Sequence, residues 1–225
     1  MRYARGSLGW LLLPPLVALL LWALGRRLDA DWLLWSALLP AGAFLFFLVF
    51  FRDPERTVAA GVASPADGKV VRLDQVNDHD LGPCDRLSIF MSPKDVHVNR
   101  FPLGGTVVAV THLAGGHIPA FNKDSHLNER VETLLDTPEL GRVKVIQIAG
   151  TVARRIVPYI SGGETAVKGE RFGLIRLGSR CDLLVPPGSV AWKAKLGDQV
   201  YAGSTSIGTV VGIGTVGGGV AGVKR

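Results

Sequence analysis

RFGLIRLGSRCDLLVP, residues 171–186, reads as extended, β-rich chain closed by a proline. Yet Gly178-Ser179 lies in its middle, where a strand's ladder should be continuous. Glycine inside a strand weakens it and marks a bulge or a place of close approach. Four Gly-Ser pairs occur: Gly6-Ser7, Gly178-Ser179, Gly188-Ser189 and Gly203-Ser204. Such a dipeptide is ordinarily a turn. The first precedes an apolar segment, the third follows Pro186-Pro187, and the fourth sits among the turn signals Gly197-Asp198 and Ala202-Gly203. Only Gly178-Ser179 interrupts a strand-like run with no turn chemistry around it.

The same texture continues on both sides. From Pro65 on, the runs KVVRL, RLSIFM, GTVVAV, VKVIQIAG and LLVP are separated by turn points at Gly68, Gly104-Gly105, Gly115-Gly116 and Gly162-Gly163. That spacing predicts a mainly β domain, a sandwich or barrel. Strands and helices do not alternate regularly, which disfavours a doubly wound parallel sheet. Two stretches, Asn128 to Leu135 and Ala149 to Ile160, are candidates for helix. From Leu196, LGDQVYAGSTSIG has the turn pattern of lipoyl and biotinyl domains and of other barrel-sandwich hybrid folds. The expected class is therefore mainly β, barrel-sandwich hybrid-like. The lysine that such carriers present for modification has no obvious counterpart.

Of the 225 residues, 48% are hydrophobic, and the excess sits at the N-terminus. Residues 8–24 (LGWLLLPPLVALLLWAL) and 32–51 (WLLWSALLPAGAFLFFLVFF) carry no charge. Each approaches the roughly 20 apolar residues of a membrane helix. The polar joint GRRLDAD connects them, and Trp10, Trp22, Trp32 and Trp35 lie near the segment ends, where interfacial aromatics belong. The division expected is a membrane-anchoring helical hairpin, residues 1–51, and a catalytic domain, 52–225. No small-x-small cleavage pattern marks a signal peptide, and neither segment has the polar stripe of a soluble core helix. Pro14-Pro15 and Pro40 kink or shorten the helices, leaving a re-entrant hairpin as the alternative to a spanning one. Arg2, Arg5, Arg52 and Arg56 outvote Arg26 and Arg27 and place both termini and the catalytic domain on the cytoplasmic face.

The net charge of +6 favours an anionic membrane surface. No basic block or nucleic-acid motif accompanies it, so no nucleic-acid partner is expected. Cys84 and Cys181 form no CxxC pattern and read as reduced thiols. His79 is unassigned, and His112 and His117 have no metal-ligand spacing, so no metal is expected.

Five segments together carry a specific resemblance: FFRDPER (50–56), SPADGKV (64–70), SIFMSPKDVHVNRFP (88–102), FNKDSHLNERVETLL (121–135) and KGERFGLIRLGSRCDLLVP (168–186). The chain resembles the phosphatidylserine decarboxylases, in particular their short membrane-anchored branch. The family's self-processing element is Leu-Gly-Ser, matched by Leu177-Gly178-Ser179. The longer branch follows that serine with threonine, where this chain has Arg180. AGST at residues 202–205 copies the longer branch's letters in the wrong context and reads as a decoy.

The resemblance implies a pyruvoyl enzyme. Ser179 attacks the Gly178 carbonyl, the chain is cut into a β chain 1–178 and an α chain 179–225, and Ser179 becomes a covalent pyruvoyl group. A side chain at position 178 would obstruct that attack, and strained backbone is cheapest at glycine. The substrate amine then forms a Schiff base with the pyruvoyl ketone, which absorbs the electrons released with CO2. Asp67 matches the aspartate of the family's Asp-His-Ser self-cleavage constellation. His97 matches the histidine that protonates the product, a task for a near-neutral imidazole. The longer branch's second histidine is replaced here by Arg100. His97 thus serves both steps or His126 contributes to cleavage, His97 being preferred.

Asn128, Glu129 and Arg130 are either a surface charge cluster or part of a head-group pocket. Taken alone, Asp67 reads as a turn residue and His97 equally as structural or catalytic. The partners implied are a serine-headed phospholipid, diacyl or archaeal ether, and the chain's own two fragments as a heterodimer, with higher oligomers open. The competing class is a membrane-anchored barrel-sandwich binding or carrier module that does not cut itself. A zinc peptidase of similar architecture would need an HxH pair, which the sequence lacks.

Overall fold

The computed structural model describes residues 2–116, 128–150, 155–176 and 179–211. Alternating inward apolar residues build its main feature, an antiparallel sheet. Its order is β11 (Thr165–Ala166), β7 (Gly105–Leu113), β8 (Arg130–Thr137), β9 (Gly141–Ala149), β13 (Ser179–Val185), β5 (Gly82–Met91), β4 (Gly68–Asp78) and β15 (Gln199–Val200). Two three-stranded sheets accompany it. One runs β10 (Ile156–Pro158), β12 (Arg171–Ile175), β6 (Val98–Arg100), and the other β14 (Val190–Trp192), β16 (Ser206–Val210), β3 (Val62–Ala63). The mainly β class is as expected.

Strand β13 is buried along all seven residues, laddered to β5 on one side and β9 on the other. Cys181, Leu183 and Val185 enter the main core with Leu87, Ile89, Val143 and Val145. Each such aliphatic side chain contributes about 1.5–3 kcal/mol when fully buried. On the opposite face Arg180 forks onto Asp182, at 2.8 and 2.9 Å. Residues i and i+2 share one face of a strand, so this buried pair is local to β13.

The run 171–186 is two strands rather than one with an interruption. β12 pairs with β10 and β6, while β13 pairs with β9 and β5. Ile175 ends β12 in one sheet and Ser179 begins β13 in another.

The helix expectations fail where the chain is described. Residues 130–137 are strand β8, with Val131, Thr133, Leu135 and Thr137 buried at period two. Pairing on both sides, to β7 and β9, overrides the local helical preference of Glu and Leu. Of the second stretch, Ala149 ends β9 and 156–158 form β10, and 151–154 lie outside the described residues. Pro158 occupies an edge strand, where its missing N–H costs no ladder bond.

Helices α1 (Leu8–Leu28), α2 (Asp31–Ser36) and α3 (Leu38–Phe50) form the N-terminal hairpin, and Pro14 and Pro15 lie within α1. The spans 8–28 and 31–50 are long and apolar enough to cross a bilayer and are only 6% and 17% buried. Such exposure is unlike that of a soluble core helix. At the base, β1 (Arg2–Tyr3) pairs with β2 (Arg52–Asp53). Ala4, Phe50 and Phe51 pack with Val96, Val98 and Leu174 in a second, smaller core. The hairpin is thereby docked onto β6 and β12, the strands that flank the candidate site.

Candidate active site

Ser179 sits fully buried at the head of β13, its Cα opposite Met91 on one side and Ala149 on the other. Among the described residues its hydroxyl donates only to the Met91 thioether, Oγ to Sδ 3.4 Å. A thioether is a weak acceptor, so no strong hydrogen bond ties the oxygen down. The Asn99 amide approaches the same sulfur at 3.8 Å and also donates to the Pro65 carbonyl at 3.3 Å. Gln147 Nε2 donates to Asn99 Oδ1 at 2.8 Å. Gln147 Oε1 is buried without a hydrogen-bond partner. Gly173 leaves room for this amide, since a Cβ there would stand 2.7 Å from Gln147 Nε2.

Met91, Asn99 and Gln147 were not singled out from the sequence. Two signals were present. Asn99 lies two residues past His97 inside the quoted motif, and Gln147 is a polar residue at an inward position of an otherwise apolar run.

His97 is wholly buried in the turn before β6. Its Nδ1 is 2.9 Å from the Asp95 carbonyl. A carbonyl only accepts, so Nδ1 carries the proton and Nε2 presents a lone pair. Nε2 has no hydrogen-bond partner. Burial pushes the imidazole down to about 4, with the nearby Arg52 charge acting the same way and the Asp95 carbonyl opposing. The resting ring is neutral and suited to accept a proton, not the near-neutral acid expected from the sequence. The Phe50 ring lies against it, and the His97 carbonyl accepts from Ile175 N–H at 3.2 Å.

Asp67 is buried but committed elsewhere. Arg56 grips both carboxylate oxygens at 2.7 Å, and Ala202 N–H donates at 2.8 Å. Among the described residues no hydrogen bond joins Asp67, His97 and Ser179 into one triad. Their connection is indirect: the Ser64–Asp67 loop offers the Pro65 carbonyl to Asn99, which meets Met91 beside Ser179. Gly68 fixes that loop, with φ +144° and a Cβ position 2.1 Å from the Phe90 carbonyl oxygen.

Arg100, at the second-histidine position, is a structural cation. It donates to the Gly169 and Pro54 carbonyls, both at 2.9 Å, and to Asp53 at 3.2 Å. A guanidinium does not deprotonate in a protein, so it replaces no base. Gly178 and His126 lie outside the described residues.

Asn128 is fully buried and donates to the Ala149 carbonyl at 2.8 Å, supporting the residue paired with Ser179. Glu129 meets His112 at 3.0 Å, and Arg130 meets Glu132 at 2.9 Å. These three residues thus divide between a support beneath Ser179 and a polar surface.

Ser204 is exposed in a turn, while Ala202 and Gly203 N–H groups bind Asp67 and the Ser64 carbonyl. The 195–203 hairpin is docked against the 64–68 loop instead of being presented as a carrier tip. Asp78, His79 and Asp80 come close enough to hold a cation. The Lys144 ammonium already sits there, 2.7 Å from Asp78, 2.8 Å from Asp80 and 3.1 Å from Glu132. Cys84 and Cys181 are free and buried, and burial pushes both thiols up.

Comparison with known proteins identifies the family. The family model for phosphatidylserine decarboxylase matches residues 43–208. A phosphatidylserine decarboxylase proenzyme of Streptomyces avermitilis is 48% identical, covering 92% of this chain and 93% of that protein. One from Thermobifida fusca is 45% identical, covering 92% of each. A Methanosarcina barkeri protein provisionally named archaetidylserine decarboxylase proenzyme is 39% identical, covering 92% of this chain and 98% of its own. The chain belongs to the phosphatidylserine decarboxylase family.

Proposed function

We propose that this chain is a proenzyme that cuts itself between Gly178 and Ser179 and then decarboxylates a serine-headed membrane phospholipid to its ethanolamine counterpart. The observation that carries the reading is Ser179 itself: a buried hydroxyl held, among the described residues, only by a thioether, at the first residue of a strand fully buried between two neighbours. Its relatives are named proenzymes.

The neutral His97, with a free Nε2 lone pair, is the base that takes the Ser179 proton. Oγ adds to the Gly178 carbonyl, the peptide nitrogen leaves, and an ester links the two residues. Loss of the Ser179 Cα proton expels the Gly178 carboxylate and leaves dehydroalanine. Water replaces its nitrogen as ammonia, giving a pyruvoyl group at the new terminus. Asn99 and Gln147 position the serine through Met91, and Asp67 acts through the 64–68 loop.

The pocket residues fit the group they would hold. Ser179 meets Met91, Met91 meets the Asn99 amide and Asn99 meets Gln147, and Gln147 Oε1 and His97 Nε2, unpartnered among the described residues, are free to contact a new carbonyl or a bound amine. The pyruvoyl carbonyl supplies an electron sink for the pair left behind by CO2. His97 delivers a proton to the substrate Cα. An anionic substrate beside the ring favours its protonated form, which adapts a resting base to that acid role.

Burial of β13 between β5 and β9 holds the fragments together after the cut, as a heterodimer of 1–178 and 179–225. The exposed apolar hairpin anchors the protein in the cell membrane, with Arg2, Arg5, Arg52 and Arg56 at the cytoplasmic side.

The test is intact mass spectrometry with CO2 release, on phosphatidylserine and archaetidylserine in parallel. Wild-type protein yields two fragments and an amine lipid. Ser179→Ala yields one uncut chain and no CO2, whereas Ser204→Ala is still processed. One full-length species with undiminished turnover overturns the reading.

A further inference from the structure

A second, independent group of residues lies where the hairpin meets the β domain. Gly6, Gly9, Trp10, Leu13, Pro14 and Phe47 line a groove of 600 Å³. That volume falls in the range of about 300–1,000 Å³ typical of small-molecule sites. Its lining is almost wholly apolar, and the small Gly6 and Gly9 keep it open between α1 and α3. Against two of its lining residues, Gly6 and Trp10, stands Arg176. One guanidinium nitrogen donates to the Gly6 carbonyl at 3.2 Å, and the group lies 5.9 Å from the Trp10 ring centre. Its Nε is buried with no hydrogen-bond partner.

Positive charge gathers here without compensation. The Arg176 N–H donates to the Arg155 carbonyl, and Arg5 lies over the Tyr159 ring, whose hydroxyl donates to the Arg5 carbonyl. Among the described residues no carboxylate pairs with Arg5, Arg155 or Arg176. By contrast four arginines of the domain are paired: Arg56 with Asp67, Arg86 with Asp74, Arg100 with Asp53, and Arg171 with Asp53 and Glu55. An uncompensated, partly desolvated guanidinium at the mouth of an apolar groove is built for a ligand that is anionic at one end and hydrocarbon at the other.

We propose that Arg176, with Arg5 and Arg155, binds the phosphodiester of the membrane lipid substrate, and that the groove between α1 and α3 holds the first part of one hydrocarbon chain. A guanidinium–phosphate fork sets the orientation of the head group, while the groove receives a chain that leaves an equally apolar bilayer. The geometry directs the head group to the reacting centre. Ser179 follows Arg176 by three residues, at most about 11 Å of extended chain. Phe47 lines the groove, and Phe50, one turn on, lies against His97. The site rests on the decarboxylase reading for its substrate but not for its binding, which needs no cut chain.

Two measurements on the full-length protein in phosphatidylcholine nanodiscs separate the two ideas. The first is retention of phosphatidylserine over phosphatidylcholine by the uncut Ser179→Ala chain, read by native mass spectrometry. Adding Arg176→Ala is expected to lower it at least fivefold. Adding Gly9→Trp, which fills the groove, is expected to do the same, and Arg176→Lys to restore part of it. The second is turnover by processed enzyme. Arg176→Ala should raise KM about tenfold or more for both phosphatidylserine and glycerophosphoserine, with kcat within about threefold. Gly9→Trp should raise it for phosphatidylserine only. Retention and KM within twofold of the parent in both variants overturn the site. Wild-type protein that binds through Arg176 but releases no CO2 overturns the decarboxylase reading and leaves the site standing.

Discussion

The Phe50 ring lies on the His97 imidazole, centroids 4.2 Å apart and planes inclined by 37°. The last residue of the second apolar span is thus one wall around the histidine, and the hairpin and a candidate site residue share a side-chain contact. Burial is the largest cause of the depressed His97 basicity, so the anchor helps keep the ring neutral.

Replacing that wall should therefore change proton affinity. Phe50→Ala is expected to admit water and raise the His97 pKa from about 4 toward 6.5. It should also destabilise the fold by about 3–5 kcal/mol through the cavity left. Histidine NMR titration and chemical unfolding measure both. An unmoved pKa in a destabilised variant would show that Phe50 only packs.

The same depression fixes two pH dependences. Because folded His97 titrates near 4 and the unfolded ring near 6.5, the unfolded chain binds more protons between these values. Stability from this residue is present above pH 6.5 and is lost as pH falls through 4, by about 3 kcal/mol in total. The rate of self-cleavage, which needs the neutral ring, should stay level from pH 8 to 5 and drop only near 4. A break in the cleavage rate near 6.5 would point to a base other than His97.

Gly173 tests the supporting amides. Gly173→Ala places a Cβ 2.7 Å from Gln147 Nε2 and should displace the Gln147–Asn99 hydrogen bond. Cleavage is expected to slow by about 10- to 100-fold, as for other small misplacements of reacting groups. Shortening Gln147 to Ala in the same chain relieves the clash but not the lost bond. The double variant should then be no slower than Gln147→Ala alone. Time courses of fragment appearance decide it, and additive losses would exclude a shared route.

Restoring a histidine at position 100 should not restore a base. Arg100→His loses the bonds to Asp53, Gly169 and Pro54 and leaves the buried Asp53 carboxylate to Arg171 alone. A loss of about 3–5 kcal/mol is expected, with no acceleration of cleavage. Faster processing by this variant would place position 100 at the reacting atoms.

Much of this was legible in one dimension. Period-two runs and glycine spacing announced a mainly β domain, and two uncharged segments of bilayer length announced the hairpin, because burial alternates along strands and lipid excludes charge. Ser179 stood out because its glycine had no turn to explain it. The helix expectation at 128–135 failed because pairing with β7 and β9, unknowable locally, outweighs propensity. His97's protonation state was equally hidden, since pKa follows burial and neighbours rather than spacing.

Covalent order alone determined the family's motifs, the two apolar N-terminal segments and the mainly β character of the rest. Folding alone decided their company. It brought Phe50 onto His97, Gln147 onto Asn99 and Arg176 onto the hairpin's groove, contacts spanning from about 50 to 170 positions of chain. Packing free energy is summed over neighbours in space, and no pattern along the sequence specifies which distant side chain will stand across a buried gap.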